Sequence, residues 1–185
     1  LKGDLEKGFL FYEWRWKREK FFSKIKNIQQ PFWRGNFSIK NKTILIHSEQ
    51  GRGDIIQFSR YIDLVQKKGS KVIAQFPKSL INLMKGLRGE FKTISNEDKI
   101  PKTDYHCPLM SLPYSFKTTL NSIPKQTPYI KANSDKINFW KQKTNNENFN
   151  IGICWQGSGK SKSFPLELER LYPILEVNVN SSIGI

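Results

Sequence analysis

The chain has 185 residues, 37% hydrophobic and 13% aromatic, enough for the core of one domain plus pieces of others. A formal net charge of +15 comes from basic residues scattered along the chain rather than run together, which speaks against a dedicated nucleic-acid interface. No apolar run approaches the roughly 20 residues of a membrane span, the charged opening stretch is no secretory leader, and Cys107 and Cys154 form no CxxC pair and no zinc pattern with the two histidines, so a reduced, cytoplasmic protein without metal is expected.

Residues 1–26 read as a helix. Gly3-Asp4 offers a start, and Leu5, Phe9, Tyr12 and Trp16 fall on one face. Gln30-Pro31-Phe32-Trp33-Arg34-Gly35 is a linker whose two aromatics pin it down. Thr43-Ile44-Leu45-Ile46-His47 is a buried strand, and Gly51-Arg52-Gly53 then turns sharply. Asp54 stands at an N-cap position, with Ile55, Phe58, Tyr61, Ile62 and Val65 at helical spacing behind it. Residues 71–76 form a second strand, 80–87 a helix, 91–94 a third strand and 104–108 a fourth. A short helix over 109–116 is expected to break at Pro113, followed by a polar loop to 132 and a helix over 134–144 capped by Ser134 or Asp135. The β-α-β-α-β alternation predicts a parallel sheet with helices on its faces. A second unit then opens with a strand over 150–155, a glycine and lysine loop, and a helix from Pro165.

The residues with chemistry gather at two loops. A carboxylate at a helix start stays ionised, so Asp54 either caps its helix or acts as a base. Gly51-x-Gly53 lacks the third glycine of a dinucleotide fingerprint, since Ile56 stands in its place. Gly157-Ser158-Gly159-Lys160-Ser161 invites a P-loop reading, but Cys154 replaces the first glycine, and Pro165 would break a helix begun at the lysine. Its backbone amides with Lys160, Lys162, Ser161 and Ser163 make either a phosphate cradle or a solvated basic loop. His47 reads as a core residue. His106 ends a strand at the same sheet edge, and a site role for it is open. Trp33, Trp155 and the cysteines read as packing groups.

HSEQGRGDIIQFSRY, with QPFWRG before it and DYHCPLMSLPYSFKTTLNSIP after it, resembles the glycosyltransferase-like region that follows tetratricopeptide repeats in many bacterial proteins. IGICWQGSGKSKSFPLELE resembles the join into that region's second half. The similarity covers nearly the whole chain and extends to heptosyltransferases and, more distantly, to O-linked N-acetylglucosamine transferases. It implies a GT-B fold, two Rossmann-like α/β domains facing across a cleft. The expected division is a terminal tetratricopeptide-type helix and linker over 1–30, the N-terminal Rossmann-like domain over 31–147, and the truncated start of the nucleotide-sugar-binding domain over 148–185. The loop departs from the family in being shorter and richer in lysine, and the rest of the donor domain is missing.

By the same resemblance Asp54 is the general base and the acceptor-side turn comprises Gly51, Arg52, Gly53, Gln57 and His106. Gly157, Ser158, Lys160, Lys162 and Ser163 then hold the donor phosphates. The donor is a nucleotide-sugar, no cofactor is implied, and the acceptor is a protein or glycan hydroxyl, with a further protein partner recruited through the repeats. The alternative is a non-catalytic scaffold with a degenerate domain of this kind.

Overall fold

The computed structural model describes residues 3–23, 25 and 27–144. The chain divides into two compact units, residues 1–132 and residues 133–185. The second domain expected from residue 148, with its loop residues Gly157, Ser158, Lys160, Lys162 and Ser163, lies outside the described residues.

The first unit is an α/β structure on a parallel sheet of four strands. Its strands are β1 (Thr43–His47), β2 (Lys71–Phe76), β3 (Lys92–Ser95) and β4 (Tyr105–Pro108), in the spatial order β3-β2-β1-β4. All three pairings are parallel, with Leu45 opposite Ile73 on one side and His106 on the other. The order is Rossmann-like: the chain moves outward from β1 to β3, then returns to place β4 on β1's free side. That reversal makes the carboxyl ends of β1 and β4 a topological switch point, where open α/β sheets leave a crevice.

β1 is apolar on both faces because both are covered. Ile44 and Ile46, with Val72, Ala74 and Phe76, form the main core with Ile55, Ile62, Val65, Leu80 and Met84. Leu45, Ile73 and Ile94 form a smaller cluster on the opposite face, against Ile28 and Ile100. By alternation His47 and His106 share that second face.

Four local expectations are corrected. The opening segment is not one helix but α1 (Leu5–Tyr12), a 3-10 turn over Glu13–Lys17 and α2 (Glu19–Phe22), with Arg18 extended between the last two. Asp4 caps α1 by accepting from the Lys7 amide at 3.2 Å. The Phe9, Tyr12 and Trp16 face packs on its own α/β unit: Phe9 meets Phe58 edge-on, and Trp16 meets Phe32. Second, the helix after β1 is α3 (Arg52–Phe58), a 3-10 turn over Ser59–Tyr61, then α4 (Ile62–Lys67), ending at Gly69 with φ +80°. Arg52 and Gly53 are its first turn rather than a loop. Third, Pro113 does not break the helix after β4. A 3-10 turn over Leu109–Ser111 leads into α6 (Leu112–Ser115), and Pro113 sits in its first turn, where no amide donor is required. Between β2 and β3 runs the short α5 (Ile81–Met84).

The fourth correction concerns α7 (Ser134–Lys143), which belongs to the second unit. Its cap is Asn133, whose side chain accepts from the Lys136 amide at 3.0 Å, rather than Ser134 or Asp135.

Candidate functional site

β1 delivers residues 48–51 to the sheet's carboxyl edge, and α3 starts there. Gly51 is the N-cap with φ −67° and ψ 163°, so Asp54 is the third helical residue, not the cap itself. Its Oδ2 accepts from the Gly51 N–H at 3.2 Å. This is the reciprocal half of a capping box; glycine has no side chain to supply the other half. Asp54 is half-buried, while Gly51, Arg52, Gly53 and Gln57 are exposed around it. A carboxylate therefore stands at the mouth beside the switch point, with its second oxygen outside that hydrogen bond.

His106 does not stand in this mouth. β4 continues past it to Pro108, so its ring lies back along the strand, buried on the second face. His47 Nε2 and His106 Nδ1 are 3.0 Å apart and the rings stack at 5.2 Å. One ring donates and the other accepts, which requires a neutral acceptor. Burial, with the neighbouring His106 and Arg15, pushes His47 down to about 3. Burial pushes His106 down to about 4. Both are neutral at pH 7.

The switch point holds a cluster that no local periodicity announced. Arg15, from the 3-10 turn, is 6% exposed. Its Nη2 donates to Glu49 Oε1 at 3.0 Å and to Ser111 Oγ at 2.7 Å, joining the loop after β1 to the loop after β4. Its Nη1 donates to Glu13 Oε1 at 2.6 Å and the Tyr12 carbonyl at 3.2 Å. The guanidinium lies over the rings of Tyr12 and Trp16, 4.5 and 4.3 Å from their centroids. Ser111 Oγ is 2.9 Å from Glu13 Oε1. Gln50 Nε2 donates to the Tyr12 phenol oxygen.

These charges are unequal in their surroundings. Burial pushes the Glu49 carboxyl up to about 7, against the pull of the Arg15 guanidinium. Burial also raises the Tyr12 phenol, with smaller upward pushes from Glu49 and Asp54. Gln50, held by Tyr12, directly precedes Gly51, whose N–H holds Asp54. A signal for the cluster existed: Arg15 stands between Trp14 and Trp16 beside the apolar stripe, and Glu49 stands two residues past the end of a buried strand.

Two cavities lie elsewhere in this unit. One of about 210 Å³ is lined by Arg60, Asp63, Lys67, Arg88, Lys125 and Tyr129 among others. One of about 520 Å³ lies between α1 and α6 and is lined by Lys7, Leu10, Tyr114 and Lys117 among others. Neither includes a residue of the switch point. Among the described residues, no group of three or more His, Cys, Asp or Glu side chains is placed to hold a metal ion, and no helix is long and apolar enough to cross a membrane. The chain finds no match among family models, curated proteins or solved structures.

Proposed function

We propose that this unit is the acceptor-side half of a GT-B glycosyltransferase that transfers a sugar from a nucleotide-sugar to a hydroxyl, with Asp54 as general base. The observation that carries the reading is the position of Asp54: a half-buried carboxylate at the head of α3, on the carboxyl edge of a Rossmann-like sheet, beside its switch point. There the carboxylate takes the proton of an acceptor hydroxyl as the oxygen attacks the anomeric carbon, and the bond to the nucleoside diphosphate breaks. Arg52 and Gln57, exposed on the first turns of α3, are proposed to orient the acceptor. Gly157, Ser158, Lys160, Lys162 and Ser163 are proposed to hold the leaving diphosphate. Helix α1 is proposed as the end of a tetratricopeptide array, with Leu10 and Phe11 on its exposed side and Trp14 exposed in the turn after it.

The test is Asp54→Asn in a version carrying both lobes, assayed for transfer from a panel of nucleotide-sugars. Loss of about 10²–10⁴-fold in turnover supports the base. Unchanged turnover removes it.

A second reading is a non-catalytic binding scaffold. The hydrogen bond from the Gly51 amide to Asp54 Oδ2 favours it, because capping alone accounts for an aspartate at this position. Absence of transfer or donor hydrolysis by the two-lobed protein, across the panel, selects this reading.

A further inference from the structure

The opening segment grips the site-bearing loop at two successive residues. Tyr12 takes the Gln50 amide and Arg15 takes the Glu49 carboxylate. The next residue, Gly51, is the one whose N–H holds Asp54 Oδ2. On the β4 side of the switch point, Ser111 is held by both Arg15 and Glu13. Parallel pairing fixes β1 against β4 as far as His47 opposite Pro108, and the Met110 backbone hydrogen-bonds to Glu49; beyond the strands, side chains must hold Ser111 to the loop after β1. A buried guanidinium can do so, because its planar fork donates in fixed directions and cannot lose its charge.

We infer that Arg15 is a positioning residue: it ties the loop leading to Asp54 to the loop after β4 across the switch point, so the opening segment is a working wall of the site. The inference rests on the proposed function only for the chemistry of Asp54; the tie itself stands on the contacts. Arg15 reaches no reacting atom, and acts through Glu49, Gln50 and the Gly51 amide.

The experiment uses the full chain and needs no ligand. Amide hydrogen exchange is measured at residues 48–53 and 109–112 and in β1 and β2, together with the ¹³C carboxyl resonance of Asp54. Arg15→Lys replaces the fork with a point charge and speeds Gly51 exchange by about 100-fold while β2 stays protected. Ser111→Ala removes one hydroxyl, leaves the fold intact and gives about 10-fold at the same amide. Glu49→Gln keeps an oxygen to accept from Arg15 and leaves exchange near native, whereas Glu49→Ala speeds it. The Asp54 resonance moves in Arg15→Lys and Ser111→Ala. If Arg15→Lys fails to fold, Ser111→Ala decides. Native Gly51 exchange with an unmoved Asp54 resonance overturns the inference, as does loss of protection spread evenly through β1 and β2. An Asp54→Asn protein that still transfers sugar defeats the base assignment instead, and leaves the exchange result standing.

Discussion

His47 Nε2 lies 3.0 Å from His106 Nδ1, a hydrogen bond between two buried imidazoles 59 residues apart in the chain. Neither ring gains a proton without losing this bond or burying a charge.

Stability should therefore depend on pH in a defined way. The two histidines contribute stability that is complete above their ordinary value of 6.5 and lost as pH falls toward their folded values of about 3 and 4. Glu49 acts oppositely: its contribution is complete below its ordinary 4.5 and lost as pH rises through about 7. Between 4.5 and 6.5 the unfolded chain takes up two histidine protons while the folded chain keeps one on Glu49, so the unfolded chain binds one proton more and stability rises with pH. Urea unfolding should show highest stability near pH 6.5 from these groups, and Glu49→Gln should steepen the acid limb to two protons.

Removing the guanidinium should be costly. Arg15→Met leaves buried acceptors behind and should destabilise the unit by about 3–5 kcal/mol at pH 8, with a smaller loss at pH 5, where Glu49 accepts a proton. Adding Glu49→Leu should recover part of the loss. Urea midpoints of the two singles and the double at both pH values measure the coupling; additive costs would contradict the contact.

Asp54 carries a structural share that can be separated from any chemistry. Asp54→Ala loses the acceptor for the Gly51 amide and should cost about 1 kcal/mol by thermal melting. Asp54→Asn keeps an oxygen there and should cost a few tenths. Equal losses would mean the bond to Gly51 contributes nothing.

Gly35 has φ +79°, and a Cβ built on it would lie 1.9 Å from the Ser115 carbonyl oxygen. Gly35→Ala should destabilise the unit by on the order of 2–4 kcal/mol, from strain plus displacement of the end of α6. A wild-type melting temperature would contradict the close approach.

The sheet was readable because apolar, β-branched runs such as Thr43–His47 and Lys71–Phe76 alternate with helical spacing, and both signals are local. Asp54 was readable for the same reason, although its cap moved to Gly51. The breaks in the opening segment were not, because a 3-10 turn there brings Glu13, Arg15 and Trp16 onto partners 16 to 98 residues away, and tertiary contacts overrode a good helical stripe. The Arg15–Glu49–Ser111 cluster spans separations of 34 and 96 residues, which no periodicity encodes. His106 was misplaced by a shift along its strand, since Cys107 and Pro108 extend β4 beyond it.

Phe32 forms a parallel bridge with His106, with the Trp33 N–H on the His106 carbonyl at 2.8 Å and the His106 N–H on the Pro31 carbonyl at 3.1 Å. The outer rim of β4 is thereby occupied by three residues of the same chain. Pro31 brings no amide hydrogen to extend the ladder, and Trp33 is buried. A strand that could otherwise template aggregation is thus finished from within, and an incoming extended peptide finds no free row of donors there to join.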